Sequence, residues 1–228
     1  MKRLLVLLTP FLCLALTASL FLNSSACTRI MEQETGSECE MTAEQPDEVV
    51  MYGKRYTAYQ KINGIKIYRT EDRQPEDHVI AAIGASNLRP DMSPKMMVLT
   101  ISQYIDEHLE YDDEIAKQVK RNKDCWKLDS ASFTSVCITK GKAVCAGYAD
   151  LFQKMCQAVG IETWYIKGYV ENREKERICH AWNEVVLDGM PWYVDTCWYA
   201  ADAEFRWLSD EPFENREITG CYKDYQMQ

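Results

Sequence analysis

Ten cysteines are present, but no two stand in a C-x-x-C pair, which argues against a ribbon-type zinc site. No cluster of lysine and arginine is interleaved with aromatics. Acidic residues outnumber basic ones 35 to 26, for a formal net charge of −9. An acidic surface repels phosphate backbones, so nucleic acid is not an expected partner. Internal repeats and low-complexity tracts are also missing, which sets aside a stacked-repeat architecture.

One long hydrophobic run exists, and it is N-terminal. Residues 1–26 open with Lys2 and Arg3, continue as LLVLLTPFLCLALTASLFL and close on Ser24, Ser25 and Ala26. A charged start, an apolar middle and a small-residue end make an export signal. The run is also about long enough to span a bilayer as an uncleaved anchor. Cys27 follows Ala26 directly, as the lipid-accepting cysteine does in bacterial lipoproteins, and the segment resembles such a signal. Ser24 stands where those signals usually carry a branched aliphatic. Each outcome puts the rest of the chain outside the cytoplasm, secreted or on the outer face of the membrane, with membrane contact only through this N-terminal anchor.

The remaining length of about 200 residues suits one domain with a full core. Residues 27–48 are polar, acidic and aperiodic, a disordered linker by composition. Residues 49–92 form an N-terminal extension built on a β-hairpin, since Asn63-Gly64 is a strong two-residue turn signal with Ile62 and Ile65 flanking it. A short helix is expected near Val79–Ala82. Residues 93–228 form the main domain. It begins with a helix capped by Ser93 and led by Pro94, along which Met97, Ile101, Tyr104, Ile105 and Leu109 recur at helical spacing. His108 on that helix reads as a surface or packing residue. A second helix is expected over Asp112–Val119, acidic at its start and basic after its end. Residues 122–140 read as an irregular connection.

Tyr148, Leu151, Phe152, Met155 and Val159 then fall on one helical stripe, with Gly160 placed to cap its end. The helix therefore starts near Val144-Cys145. A thiol at that end meets unpaired N–H groups and the positive end of the dipole, both of which favour thiolate. The size of such a shift decides its value: at neutral pH a thiol of pKa ~8.5 is only about 3% ionised, whereas one near ~6 is about 90% ionised. Lys140 and Lys142 push the same way. Cys156, near the helix end on its apolar side, reads as buried and inert.

Strands follow at Thr163–Glu171, His180–Leu187 and Trp192–Cys197, the last two joined through Asp188-Gly189-Met190-Pro191. A two-residue or a four-residue loop there puts His180 and Asp195 on one face, with Trp182, Glu184 and Cys197; a three-residue loop separates them. A thiol, a base and a group that fixes the base's tautomer are the parts nucleophilic thiol chemistry needs. Cys145, His180 and Asp195 supply them in that order.

The blocks VCAGY at 144–148, HAWNEV at 180–185 and VDTCW at 194–198 resemble, in order and spacing, the three signature blocks of the transglutaminase-like superfamily. The likeness runs more loosely from Ser93 to Pro212, through Tyr111-Asp112-Asp113 and FRWLSD at 205–210. It implies an α+β, papain-like core with the nucleophile helix packed on an antiparallel sheet, and Cys145, His180 and Asp195 as the triad. Thr196-Cys197 replaces the Pro-Thr of many members. Such an enzyme acts on amide carbonyls through a Cys145 thioester, as a peptidase, an amidase or a protein cross-linker, and calls for no metal or organic cofactor. A protein or peptide substrate, or a cell-envelope amide, suits an anchored chain. The rival reading is a non-catalytic, cysteine-rich surface module that binds a partner on the same fold.

Without Cys13, Cys27 and Cys145, seven cysteines remain (Cys39, Cys125, Cys137, Cys156, Cys179, Cys197 and Cys221), so at least one is unpaired. The pairing is not fixed by sequence. Cys125 with Cys137, bracketing the loop before Cys145, is one expectation, and Cys179 with Cys197, beside the triad, is another.

Overall fold

The computed structural model describes residues 44–121, 134–172, 175–201 and 208–223. The expected export signal, Cys27, Cys39, Cys125 and the first part of the expected linker lie outside them.

An antiparallel meander opens the described chain: β1 (Glu48–Met51), β2 (Lys54–Ile62) and β3 (Ile65–Arg69). Asn63 and Gly64 make the expected turn, with Ile62 opposite Ile65 and both turn residues at positive φ. The sheet gains a further strand through a second tight turn at Tyr52-Gly53, also at positive φ. Tyrosine is not a usual residue there, so no turn was expected. The linker expectation through Glu48 is corrected at its end. The Gln45 side chain accepts the Lys66 amide at 2.8 Å, Tyr68 donates its hydroxyl to the Pro46 carbonyl at 2.6 Å, and Asp47 pairs with Lys66 at 3.0 Å. Polar partners rather than apolar periodicity tie this segment down, which is why composition alone read it as unordered.

Helices α1 (Asp77–Ala85) and α2 (Pro94–His108) follow. The Ser93 hydroxyl accepts the Met96 amide at 3.3 Å, the cap its sequence predicts. His108 is exposed and stacks on Tyr104 at 4.1 Å. Asp112 likewise accepts the Ile115 amide at 3.0 Å at the head of α3 (Asp113–Arg121). The end of the expected irregular connection is instead helical, as α4 (Thr134–Lys140). Short strands β4 (Glu110–Tyr111) and β5 (Lys142–Ala143) pair in parallel and deliver the chain to α5 (Cys145–Ala158).

The apolar stripe on α5 suggests one covered face, but every residue from Ala146 to Gln153 is buried. Its end closes as expected: Gly160 has φ +87° and Ile161 donates to the Cys156 carbonyl at 2.9 Å. The ring of Tyr68 from β3 lies against Gly160, so a Cβ there would meet the ring at 2.9 Å. Tyr148 donates to the Leu109 carbonyl at 2.7 Å, locking α5 to the end of α2.

A second antiparallel sheet has the order β10-β6-β7-β8-β9, with β6 (Thr163–Glu171), β7 (Arg177–Leu187), β8 (Met190–Val194), β9 (Leu208–Ser209) and β10 (Arg216–Tyr222). Both faces of β7 are covered. Ala181 packs with Tyr165 and with Ala149 of α5; Trp182 packs with Ile166 and Val170 beneath Ile178, Trp198 and Phe213. The fold class is α+β, with the α5 helix on an antiparallel sheet. One strand ends early: β8 stops at Val194, and α6 (Thr196–Ala201) takes the place of the strand expected through Cys197. Asp195 accepts the Trp198 amide at 2.8 Å, so the V-D-T-C-W run contains a helix cap inside strand-like composition.

Candidate active site

Three elements deliver the expected residues to one place. Cys145 is the first residue of α5, His180 lies in β7, and Asp195 sits between β8 and α6. The connection between β7 and β8 is the two-residue turn Asp188-Gly189, with Leu187 opposite Met190. An even loop puts His180 and Asp195 on a common side, and their side chains meet: His180 Nε2 is 2.7 Å from Asp195 Oδ2. With Nε2 engaged there, Nδ1 is the ring nitrogen left for Cys145, which is among the groups that raise the imidazole. Cys145 is half-buried, whereas His180 and Asp195 are buried.

The electrostatics follow from that burial. Desolvation alone would push the His180 imidazole towards neutrality, but the charge and hydrogen bond of Asp195, then those of Cys145, outweigh it and raise the ring to about 9. For Asp195, burial favours the neutral acid; the His180 charge and hydrogen bond, Arg216 and the Trp198 amide overcome it and lower the carboxyl to about 2. Both shifts favour the charged forms, so that once His180 has taken the Cys145 proton the pair stands as imidazolium and carboxylate. Two indoles enclose the imidazole, Trp182 stacked at 6.1 Å and Trp198 edge-on at 5.0 Å.

Other side chains at the site escaped the sequence reading. Arg216 Nη1 lies 2.7 Å from Asp195 Oδ2 as an ion pair, with its N–H directed off the line to that oxygen. No local signal marks it, because it stands 21 positions beyond Asp195 in a strand whose other residues are mostly exposed. Asn183, inside the HAWNEV block, donates to the carbonyls of Ala149 at 3.0 Å and Trp164 at 3.2 Å, and so fixes α5 against the sheet just below Cys145. Tyr111 enters from β4, where it pairs with Ala143. The residue is 46% exposed, but desolvation of its hydroxyl and then the charges of Cys145 and Cys197 push that group up.

Two cysteine expectations are corrected. Cys179 is disulfide-bonded while Cys197 keeps its thiol, so these two are not partners. Cys137 also carries a thiol and is not bridged to Cys125. Cys197 turned inward when the strand gave way to α6, and burial, then Cys145 and Asp195, raise its thiol well above the usual range. A cavity of about 480 Å³, lined by Tyr68, Arg73, Glu76, Lys154 and others, lies along the far half of α5 and includes none of the three residues.

The core profile of the Transglutaminase-like superfamily matches residues 82–203, more than half of the chain. Kyphoscoliosis peptidase from Mus musculus is 31% identical over 102 residues, covering 42% of this chain, and the Homo sapiens protein matches equally. The match spans 14% of the length of each of these relatives. Two solved structures are similar in part. A protein from Cytophaga hutchinsonii named as a candidate cysteine protease aligns at a TM-score of 0.46 and 20% identity, over 66% of this chain and 43% of its own. A structure named as a TGase aligns at 0.45 and 23%, over 53% and 30%.

Proposed function

The chain belongs to the transglutaminase-like superfamily, and from that membership and the surroundings of Cys145 we propose that it is a thiol enzyme that acts on amide carbonyls. The 2.7 Å contact between His180 Nε2 and Asp195 Oδ2, with Cys145 close enough to raise the same ring, carries this reading. A ring held with its Nε2 proton on the carboxylate presents Nδ1 to the thiol as the base. The Cys145 thiolate attacks the carbonyl carbon, and the tetrahedral oxyanion is met by the Cys145 amide N–H at the head of α5. His180 gives its proton to the departing amine as the C–N bond breaks, leaving a thioester on Cys145. An acceptor then loses a proton to His180 and attacks the thioester, which frees the thiol.

Water as that acceptor makes a peptidase or amidase, and a primary amine makes a cross-linker. We favour hydrolysis: exclusion of water is the harder property to build, and the curated relatives are named peptidases. A protein or peptide chain, or a cell-envelope amide, is the proposed substrate class. Export supplies the setting, supported by the disulfide at Cys179, since disulfides persist in oxidising compartments.

The test follows Cys145 alkylation by iodoacetamide alongside turnover of a peptide-amide library, with and without a primary amine. Fast labelling at pH 6 that is lost in His180→Ala, with free carboxylate as product, supports the hydrolase. Amine incorporation in place of carboxylate reassigns it as a cross-linker. Slow labelling indifferent to His180 overturns the enzyme reading and leaves a binding module.

A further inference from the structure

Three charged side chains, not two, meet behind the thiol. The Asp195 side chain is 0% exposed and that of Arg216 only 6%. The carboxylate is approached from three directions: Oδ1 accepts the Trp198 amide at 2.8 Å, and Oδ2 meets His180 Nε2 and, as an ion pair, Arg216 Nη1, each at 2.7 Å. The guanidinium is enclosed by aromatic rings, with its central carbon 4.2 Å from the centroid of Phe213, 4.9 Å from Trp182 and 5.4 Å from Trp198. The last two indoles are the ones that flank the His180 ring. A guanidinium held in this way, by a carboxylate at one end and ring faces around it, is a built position and not a surface ion pair.

We propose that Arg216 is a positioning residue of the site, which fixes the Asp195 carboxylate from behind and keeps the buried group of charges neutral during proton transfer. The proposal rests on the reading of Cys145, His180 and Asp195 as a catalytic set. With thiol and neutral imidazole, the buried charges are Asp195 negative and Arg216 positive. Once the proton has passed from sulfur to ring, Cys145 is also negative and His180 also positive. The sum is zero in both arrangements. Without Arg216 the group carries a net negative charge in both, a costly arrangement in a desolvated site. Position matters as well as charge, because two hydrogen bonds and an ion pair together restrain the carboxylate from rotating away from the imidazole. Arg216 lies outside the matched span of residues 82–203, at the start of the edge strand β10, opposite Val170.

Removal of this positive charge has a direction. Arg216 opposes the pull of Asp195 on the imidazolium, so without it His180 holds its proton to higher pH. The ionisable and charged groups facing the centre are Cys145 from α5, Asp195 and Cys197 from the start of α6, Arg216 from β10 and Tyr111 from β4. Among the described residues, none of these but Arg216 is positive apart from His180 itself.

The experiment is an NMR titration of the histidine rings in the full chain. Only three histidines are present, and His180→Ala assigns the signal. Arg216→Gln and Arg216→Met both remove the charge, the second filling the aromatic cage with an apolar chain. Each is expected to move the His180 midpoint up by about one pH unit or more, a tenfold gain in proton affinity. Arg216→Lys, a point charge that fits the cage less well, is expected between these and the native chain. Thermal melts confirm folding; if only Arg216→Lys folds, its own upward shift is the test. An unchanged or lowered midpoint in the folded variants overturns the proposal, even if activity falls, since a purely structural role lowers activity at all pH values without moving the titration. The enzyme reading is separate: it fails if native Cys145 alkylation is indifferent to His180→Ala, whatever Arg216 does.

Discussion

The Asp195 carboxylate and the Trp198 amide are joined by a 2.8 Å hydrogen bond, so the residue that orients the imidazole is also the cap of α6. Orientation and capping therefore share one side chain but respond differently to substitution. Asparagine caps a helix as well as aspartate does but cannot hold an imidazolium. Asp195→Asn is expected to lower kcat by about 10²- to 10⁴-fold. Asp195→Ala is expected to lose about 1 kcal/mol further for the cap. Both leave Arg216 buried opposite a neutral group, which costs about 3–5 kcal/mol. Urea denaturation beside steady-state kinetics separates the terms; equal stability for the two variants would exclude the capping role.

The same pair sets a stability profile with pH. The folded His180 is raised to about 9, above the unfolded value of about 6.5, so its contribution is complete below that lower value and fades as pH rises through about 9. The folded Asp195 is lowered to about 2, so its contribution is complete above about 3.9 and fades as pH falls towards 2. Each is one side of a single interaction and is counted once. The stability gap between the native chain and His180→Gln is expected to be widest near pH 5 to 6 and to close by about pH 9.5, as denaturant midpoints across that range would show.

Asn183 tests how far α5 must be held. Asn183→Leu leaves the Ala149 and Trp164 carbonyls without this donor and is expected to destabilise by about 1–3 kcal/mol. The nucleophile begins one turn above Ala149, and a displacement of about 1 Å costs roughly 10²-fold in rate. The expected result is a loss in kcat/KM larger than the fraction unfolded explains. Activity that tracks the folded fraction would reduce Asn183 to a packing role.

Thiol labelling should discriminate among the cysteines. Burial pushes the Cys156 thiol far up and, with Cys145 and Asp195, that of Cys197, and thiolate is the reactive form. Peptide mapping after brief iodoacetamide treatment at pH 7 is expected to find Cys145 labelled and Cys156 and Cys197 untouched. Cys197→Ala is expected to change kcat by less than about threefold, under 1 kcal/mol; a loss comparable to that of Cys145→Ala would give Cys197 a role in the chemistry.

Export through a lipidated Cys27 predicts fractionation with membranes. Cys27→Ala is expected to release the chain into the soluble exported fraction; retention in the membrane would point to an uncleaved anchor.

Much of this was legible locally. Asn63-Gly64, Ser93-Pro94 and Gly160 each announce a turn or helix end through one or two residues, because φ preference and capping are short-range effects. The meeting of His180 with Asp195 was readable through parity, which needs only the turn length between two strands. What escaped was either tertiary or disguised. Arg216 reaches Asp195 through the pairing of β10 with β6, which no spacing encodes. Tyr52-Gly53 turns on an unfavourable residue, held by the Tyr52 hydroxyl on Thr163 and Gln157. Asp195 looked like a strand residue because Val194, Thr196 and Trp198 favour strands, while the hydrogen bond that starts α6 belongs to a single side chain.

The ring of Tyr68 on Gly160 has a practical consequence for anyone trimming this protein. The matched span of residues 82–203 omits both the strand that braces the far end of the nucleophile helix and the strand that carries Arg216. A fragment cut to those limits would expose an aromatic seat at one end and strand a buried carboxylate at the other. A piece that keeps both contacts must reach back to β3 at Ile65 and on through at least Arg216, well past the borders that likeness alone would draw.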